Sequence, residues 1–310
     1  MFQELSESDW NQFIAQHPDA GVFDLPSCLK ATAAVYHAKI NYFAYLKNNQ
    51  ILVAIAVFVK DDKIIVPHHY YRSSFLILKD QNPLVINQAI IALLTTLKER
   101  TKSIQIALPL NIQDIRPFIW TDFQPQIRYT YIKELETLDY HENINRNIKK
   151  AEKNQFTYAY DTDYEASLRL HQQDLKLFGI STAQNEQLSE LFKQWIATGL
   201  LKSFNAYKDG VLIASNLLLC DEKQNIAYKL MISTSVYNEL GVQSALYDYT
   251  FQLLKEKGFQ KVDLYGANMQ SIADFKGKFN PELHSFFVLT YSAKRKWLKP
   301  IYKVLDYLIK

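Results

Sequence analysis

One order of elements is written twice in this chain, and that duplication limits its possible folds more than any motif does. From Asn41 the apolar residues fall into short runs: NYFAYL, a turn at Lys47-Asn48-Asn49, ILVAIAVFV, a turn at Asp61-Asp62, and KIIVPHH. Strand-like runs separated by Asn and Asp pairs predict an antiparallel meander. A helix is expected over 84–100, apolar at Ile86, Ile90, Leu93, Leu94 and Leu97. A strand over 103–108, a short helix over 112–119 and a strand over 128–135 follow. The second half repeats this order with SFNAY, VLIASNLLLC and IAYKLMIS, a helix over 244–257, a strand over 261–265, a short helix from Ile272 and a strand over 284–291. Counterparts lie about 160 residues apart, close to half the chain. Identity between the halves is slight, so order and spacing carry the reading of a duplicated α/β unit with mixed sheets.

Composition narrows the function classes. The 310 residues are 48% hydrophobic and 22% charged, as in a folded globular chain and not a disordered one. Only 8 glycines occur, and none falls in GxGxxG or GxxxxGK[ST], which argues against a dinucleotide fold or a P-loop. No CxxC, HExxH or GxSxG is present, so a zinc site or a hydrolase triad has no support. The acidic start MFQELSESDW does not read as a secretory signal, and the run Ile51 to Val59 is too short to span a bilayer. Cys28 and Cys220 lie far apart and fit a reducing cytoplasm. The net charge of +3 is uneven, with basic residues gathered after position 293. There Leu298, Ile301, Tyr302, Leu305 and Leu308 recur at helical spacing among lysines. The expectation is a basic amphipathic helix over 293–310 that packs on the body, with peripheral contact to an anionic membrane as the alternative.

Three stretches carry candidate chemistry. The first is KVDLYGANMQSIADFKGKFN, residues 261–280. It reads as a strand, a turn at Gly266-Ala267-Asn268, and a helix started by a Ser271/Asp274 capping box, with Ile272, Phe275 and Phe279 on its apolar face. Lys276 and Lys278 then flank that face. Lys276 is placed at its edge, stem packed and ammonium in a cleft; an ordinary strand-turn-helix with solvated lysines is the plainer reading. The second is DYHENINRNIKKAEKN, residues 139–154, with a capping box from Asp139 and Glu142. Arg146, Lys149, Lys150 and Lys153 share one helix face, either solvated or a clamp for a polyanion. The third is Pro67-His68-His69-Tyr70-Tyr71-Arg72, a surface loop or the lining of an acceptor pocket. At Asn238-Glu239-Leu240-Gly241-Val242-Gln243 a glycine precedes a helix whose N-terminal amides could receive an anion.

The twofold order of elements, DLYG at 263–266 followed by FKGKF at 275–279, and YIKEL leading into RNIKKAEKN resemble the FemABX-like acyl and aminoacyl transferases. The resemblance implies two tandem GNAT-like (acyl-CoA N-acyltransferase-like) domains, an N-terminal one over 1–135 and a C-terminal one over 136–292. The chain departs from that pattern in three respects. Asn280 stands where the family writes glycine after FKxxF, and of R/Q-x-x-G-x-G/A only the central Gly241 is kept. No long helical hairpin is inserted.

The resemblance implies an N-acyltransferase that moves an acyl or aminoacyl group to an amine in cell-envelope or glycoconjugate biosynthesis. No tightly bound cofactor is expected. The cosubstrate would be acyl-CoA, another acyl thioester or an aminoacyl-tRNA, and the partners a small-molecule or glycoconjugate amine and tRNA, with no DNA. Lys276 and Asn268 are the expected catalytic residues. Arg146, Lys150, Tyr71, Arg72, Tyr228, Asp263 and Phe275 are expected to contact substrate, and Gly241, Val242 and Gln243 the cosubstrate. The alternative is a catalytically silent double-GNAT module that binds a ligand or acts as a scaffold. No residue presents itself as the general base.

Overall fold

The computed structural model describes residues 1–293 except Phe178 and Ser235. The helix expected over 293–310 therefore lies, from Lys294 on, outside the described residues. No helix among the described residues is long and apolar enough to cross a membrane. The chain divides into two compact units. The first is built from 1–26, 37–127 and the segment beginning at Phe286; the second from 27–36 and 128–285.

In the first unit β1 (Phe2–Leu5), β2 (Lys39–Lys47) and β3 (Gln50–Lys60) are antiparallel neighbours. The turn between β2 and β3 sits on Asn48 and Asn49, both at positive φ, the conformation asparagine tolerates better than most residues. β3 then pairs with two short strands in succession, β4 (Lys63–Ile65) and β5 (Ser74–Ile77). KIIVPHH was expected as one strand. It breaks after Ile65, and the unforeseen β5 resumes pairing with β3 beyond the tyrosine-rich loop. β4 also runs parallel to β6 (Ser103–Ala107). β6 pairs with the final strand, β13 (Glu282–Ser292), through Val288 to Ser292. Helix α3 (Pro83–Arg100) buries Ile90, Leu93, Leu94 and Leu97 against one face, joined by Phe118 of α4 (Arg116–Trp120). Helix α1 (Glu7–Gln16), capped by Ser6 in a reciprocal bond with Asp9, covers the other face. Alternation along β2 shows this: Phe43 joins the α3 core, while neighbouring Tyr42 stacks on Trp10 of α1 at 5.1 Å.

The second unit repeats the scheme. β7 (Gln124–Glu134) pairs with β12 (Lys261–Asp263), β12 runs parallel to β11 (Ile226–Thr234), and β10 (Val211–Asp221), β9 (Leu201–Lys208) and β8 (Thr157–Tyr160) complete an antiparallel succession. Phe204 and Ala206 of β9 face a core formed with α5 (Glu142–Lys153) and α8 (Val242–Glu256). Asn205, between them, points the opposite way and accepts from Ser167 of α6 (Tyr164–Leu177) at 3.0 Å. Helix α6, with α7 (Thr182–Ala197) packed on it, thus covers the other face. Helix α2 (Pro26–Tyr36) joins this unit, where Gln187 of α7 donates to the Val35 carbonyl at 3.3 Å. Each unit therefore takes its last strand from the other repeat, β13 in the first and β7 in the second. Cys28 and Cys220 are free thiols.

Two helix starts differ from expectation. The cap of α5 is His141, whose Nδ1 accepts from Asn143; Asp139 instead binds Lys133 and Asn280. Helix α9 (Gln270–Gly277) begins at Met269 with no side-chain cap, so Ser271 is already inside it.

Gly241 joins α5 to α8. Its φ is +82°, and a Cβ there would lie 2.2 Å from the Asn147 carbonyl oxygen. Both facts demand glycine, one through backbone strain and one through the close approach of the α5 backbone. Gly241→Ala is expected to cost about 2–4 kcal/mol, by analogy with strained and overpacked sites, and urea unfolding measures it. A loss under about 0.5 kcal/mol would show that α5 can move away freely.

Candidate active site

The site is organised by the point at which β11 and β12 part. Their parallel ladder covers only Ile226–Lys261, Ala227–Val262 and Tyr228–Asp263. β11 continues to Thr234 alongside β10, with a register shift between Leu217 and Leu218 that leaves Leu230 unpaired. β12 ends at Asp263, after which Tyr265 and Gly266 take left-handed backbone angles of 49° and 63°. A tyrosine at positive φ is uncommon and marks a constrained turn.

That turn aims two carbonyls at one ammonium. Lys276 Nζ on α9 donates to Leu264 O at 2.7 Å and Tyr265 O at 2.5 Å. Gly266 is needed beside it, because a Cβ there would approach Nζ to 3.2 Å. Lys276 was expected at the rim of the apolar face with its head in a cleft. It is instead the buried residue of its helix, 6% exposed, while Ile272 and Phe275 are only partly buried. Burial pushes its ammonium down to about 8, opposed by the Asp263 carboxylate. Asp263 is itself fully buried and accepts from Thr130 Oγ1 and the Tyr265 amide.

A second lysine shares this region and was not singled out in the sequence. Lys229, the residue after the last β11–β12 rung, is 5% exposed and stands 5.5 Å over the Tyr247 ring of α8. Burial and then the charge of Lys276 hold it well below the ordinary lysine range. Its signal was a charged residue within the otherwise apolar strand IAYKLMIS. His171 of α6 is also buried, its Nδ1 2.6 Å from Ser233 Oγ. Burial and then Lys229 push the imidazole down to about 3. Asp174, also on α6, accepts from Ser233 and from the Thr234 amide, and burial raises its carboxyl.

The other expected residues fall in different settings. Tyr228 is half-buried on β11 opposite Asp263, and Phe275 packs edge-on against Phe279 at 5.4 Å and Tyr247 at 5.7 Å. Asn268 is exposed, and its amide both accepts from and donates to the Tyr129 backbone, clasping the turn to β7. Gly241 and Val242 are buried and Gln243 half-buried, with α5 against the glycine. Arg146 and Lys150 are exposed on α5. Asn280 adopts φ 51° and donates to Asp139 at 3.0 Å, supplying the left-handed turn that glycine would otherwise make.

Tyr71 and Arg72 belong to the first unit, and both are buried rather than on the surface. The Arg72 guanidinium lies 4.0 Å over Phe286 and donates to the Tyr71 carbonyl. The adjoining Ser73 closes the parting of β4 and β6, its amide donating to Ala107 O and its hydroxyl accepting from the Ala107 amide.

The low value at His171 carries a testable sign. Between about 3 and the ordinary 6.5 the unfolded chain holds a proton at this residue that the folded chain does not. Stability therefore rises with pH across that window and falls as pH drops through it. His171→Asn is expected to flatten the dependence of urea-unfolding free energy on pH between 6.5 and 4. An unchanged slope would remove His171 from the acid-labile groups.

Residues 139–277 match the acetyltransferase (GNAT) domain. No curated protein matches the chain in sequence. Among solved structures the chain is similar to FemX, at 12% identity and TM-score 0.70, covering 97% of this chain and 99% of that one. It is similar to a tandem GNAT protein from the clavulanic acid biosynthesis pathway, at 11% identity and TM-score 0.59, covering 94% and 98%. It also resembles the C-terminal domain of a putative lysylphosphatidylglycerol synthetase from Agrobacterium fabrum, at 10% identity and TM-score 0.57, covering 94% and 95%. With the repeated sheet order of both units, these likenesses give the chain a FemABX-like tandem GNAT fold.

Proposed function

We propose that the chain is an N-acyltransferase whose chemistry lies in the second unit, where β11 and β12 part. The observation that carries this reading is the buried Lys276 ammonium, anchored by the Leu264 and Tyr265 carbonyls where β12 turns away from β11. Attack of an amine on an ester or thioester carbonyl places negative charge on the carbonyl oxygen. A fixed, poorly hydrated cation interacts more strongly with that oxyanion than with the uncharged ground state, and so lowers the barrier more than it aids binding. The donor is an acyl thioester such as acyl-CoA, with an aminoacyl-tRNA as the alternative. The acceptor is an amine of a small molecule or glycoconjugate, with a place in envelope biosynthesis suggested by the likeness to FemX. The exposed row Arg146, Lys149, Lys150 and Lys153 suits phosphates of either substrate. Asn268 is left out of the chemistry, because both ends of its amide serve Tyr129.

The alternative, a silent binding module, draws on one observation. Helix α5 lies against Gly241, on the turn where a GNAT enzyme would be expected to receive the cosubstrate's phosphates.

A panel of acyl-CoAs and aminoacyl-tRNAs, each with amino-sugar and peptide amine acceptors, tests the reading by mass spectrometry of the amide product. Lys276→Met is expected to reduce kcat by roughly a hundredfold, about 2.7 kcal/mol, with a smaller change in KM. Because the variant leaves two carbonyls without their donor, circular dichroism must first show it folded. Lys278→Met is expected to behave nearly as wild type. Transfer that needs the ammonium should also fall as pH rises through about 8. Lys276→Met with wild-type turnover would favour the silent module.

A further inference from the structure

The first unit contains a cleft that the proposed reaction does not use. It encloses about 560 Å³ between α1, β1 and the β2–β3 turn, a volume typical of small-ligand sites. Two periods build it. On α1, Asp9, Gln12, Phe13 and Gln16 fall at i, i+3, i+4 and i+7, one face of the helix, next to the Trp10 and Ile14 positions that are buried. On β1, Gln3 and Leu5 are two residues apart and so share a face of the sheet. Leu46 and Ile51 are cross-strand partners beside the β2–β3 turn, where Asn49 and Gln50 also enter the lining. Leu78, whose amide donates to Leu52 O at 2.8 Å, joins them.

The lining is of two kinds. Leu5, Phe13, Leu46, Ile51 and Leu78 are apolar, and all but Leu5 are only half-buried, so water reaches them. With them stand five carboxamides, Gln3, Gln12, Gln16, Asn49 and Gln50. None of these five side chains is hydrogen-bonded among the described residues. The lining has one carboxylate, Asp9, and no lysine or arginine. Asp9 Oδ2 accepts from the Ser6 hydroxyl at 2.6 Å and the Ser6 amide at 3.2 Å, and these bonds hold the carboxyl below its ordinary value. Its Oδ1 has no partner among the described residues. His17 is engaged with the backbone, its Nδ1 accepting from the Asp19 amide and its Nε2 donating to Ile77 O.

This set of groups selects a ligand class. A carboxamide offers a donor and an acceptor side by side without charge, which matches the double character of a hydroxyl. Half-buried aliphatic and aromatic surface matches the C–H face of a sugar ring. An ionised carboxylate with no cation in the lining favours an ammonium, and a phosphate or carboxylate ligand would find no counter-charge there. A peptide added at the edge of β1 would use main-chain groups, whereas the groups on offer here belong to side chains.

We propose that this cleft binds an amino-sugar unit, its hydroxyls on the carboxamides, its C–H face on Phe13 and the aliphatic floor, and its ammonium on Asp9 Oδ1. The site goes beyond the acyl-transfer reading and does not rest on it. An amine held as an ammonium by Asp9 is no nucleophile, so the cleft holds the sugar without acylating it. A free sugar and one unit of a longer glycan carry the same chemistry.

Binding to the full-length chain is measured by NMR of isotopically labelled protein at mildly acidic pH, where sugar amines are protonated. The probes are the β-1,4-linked disaccharide of glucosamine, its di-N-acetyl form and cellobiose. The side-chain amide resonances of the five carboxamides should shift together and saturably, with the diamine bound about tenfold more tightly than the other two. Asp9→Asn, which keeps an oxygen acceptor for Ser6, should bring the diamine to the affinity of cellobiose and leave cellobiose unchanged. Gln12→Ala, exposed and outside the capping pair, should weaken all three by roughly threefold or more. The glucosamine tetrasaccharide separates the two sources: equal affinity assigns a free or terminal sugar, higher affinity a longer glycan. Shifts that do not saturate at millimolar sugar, or that fall outside the cleft, would overturn the proposal. So would a preference for the diamine that survives Asp9→Asn, or tighter binding of trilysine in the cleft, which would assign it to a basic peptide. No acyl donor is present, so failure of acyl transfer leaves this result untouched, and failure here leaves acyl transfer standing.

Discussion

The short parallel ladder between β11 and β12 is the constraint on which the arrangement around Lys276 depends. Three rungs hold the strands together, and beyond Asp263 their backbones must find other partners. β12 solves this by turning left-handed at Tyr265 and Gly266, so that consecutive carbonyls converge on the Lys276 ammonium. Burying that ammonium without such acceptors would be costly, since a charged group loses its hydration on leaving water. Strand geometry, glycine placement and the lowered lysine value are thus one arrangement seen at three scales.

The first unit treats the same junction differently. It has the same parallel junction, β4 beside β6, but its meander strand is interrupted. Ser73 bridges to Ala107, while Tyr70, Tyr71 and Arg72 pack into the interior. A guanidinium stacked on Phe286 is an anchor, with its polar edge on a carbonyl and its face on a ring. Two copies of one scheme therefore differ at this junction, in the eight residues between β4 and β5.

Much of this was legible in the sequence. The meanders and their long helices announced themselves by period and by Asn, Asp and Gly turns, and the spacing of the halves disclosed the duplication. What stayed hidden depended on long-range pairing. β1 and β8 are edge strands of only four residues, too short for period alone to mark them, and β5 looked like the end of a loop. The Asp139 cap failed because His141 serves in its place while Asp139 is held by Lys133 and Asn280, and the Ser271 cap failed because α9 starts earlier, at Met269, with no side-chain cap. Lys276 was found through the FK pair, yet its burial was not. Periodicity assigns a lysine to the outside, and only the turn at Tyr265 makes the inside tolerable. Lys229 and His171 were readable only as a charged residue and a histidine among apolar neighbours, a pattern that points to burial without saying what for.

The exchange of final strands bears on how the chain comes to be folded. A growing polypeptide ordinarily completes its N-terminal domain first, while later residues are still being added. Here the first unit lacks β13 until the segment beginning at Phe286 has been made, although its other strands are finished by Ala107. Until then the outer edge of β6 is an unpaired template, open to whichever strand arrives, including one from a neighbouring nascent chain. β7, made early, meanwhile waits for β12. Synthesis order and assembly order run against each other, so the protein is exposed to chaperones and to strand-swapped dimers in the interval before its last strand emerges.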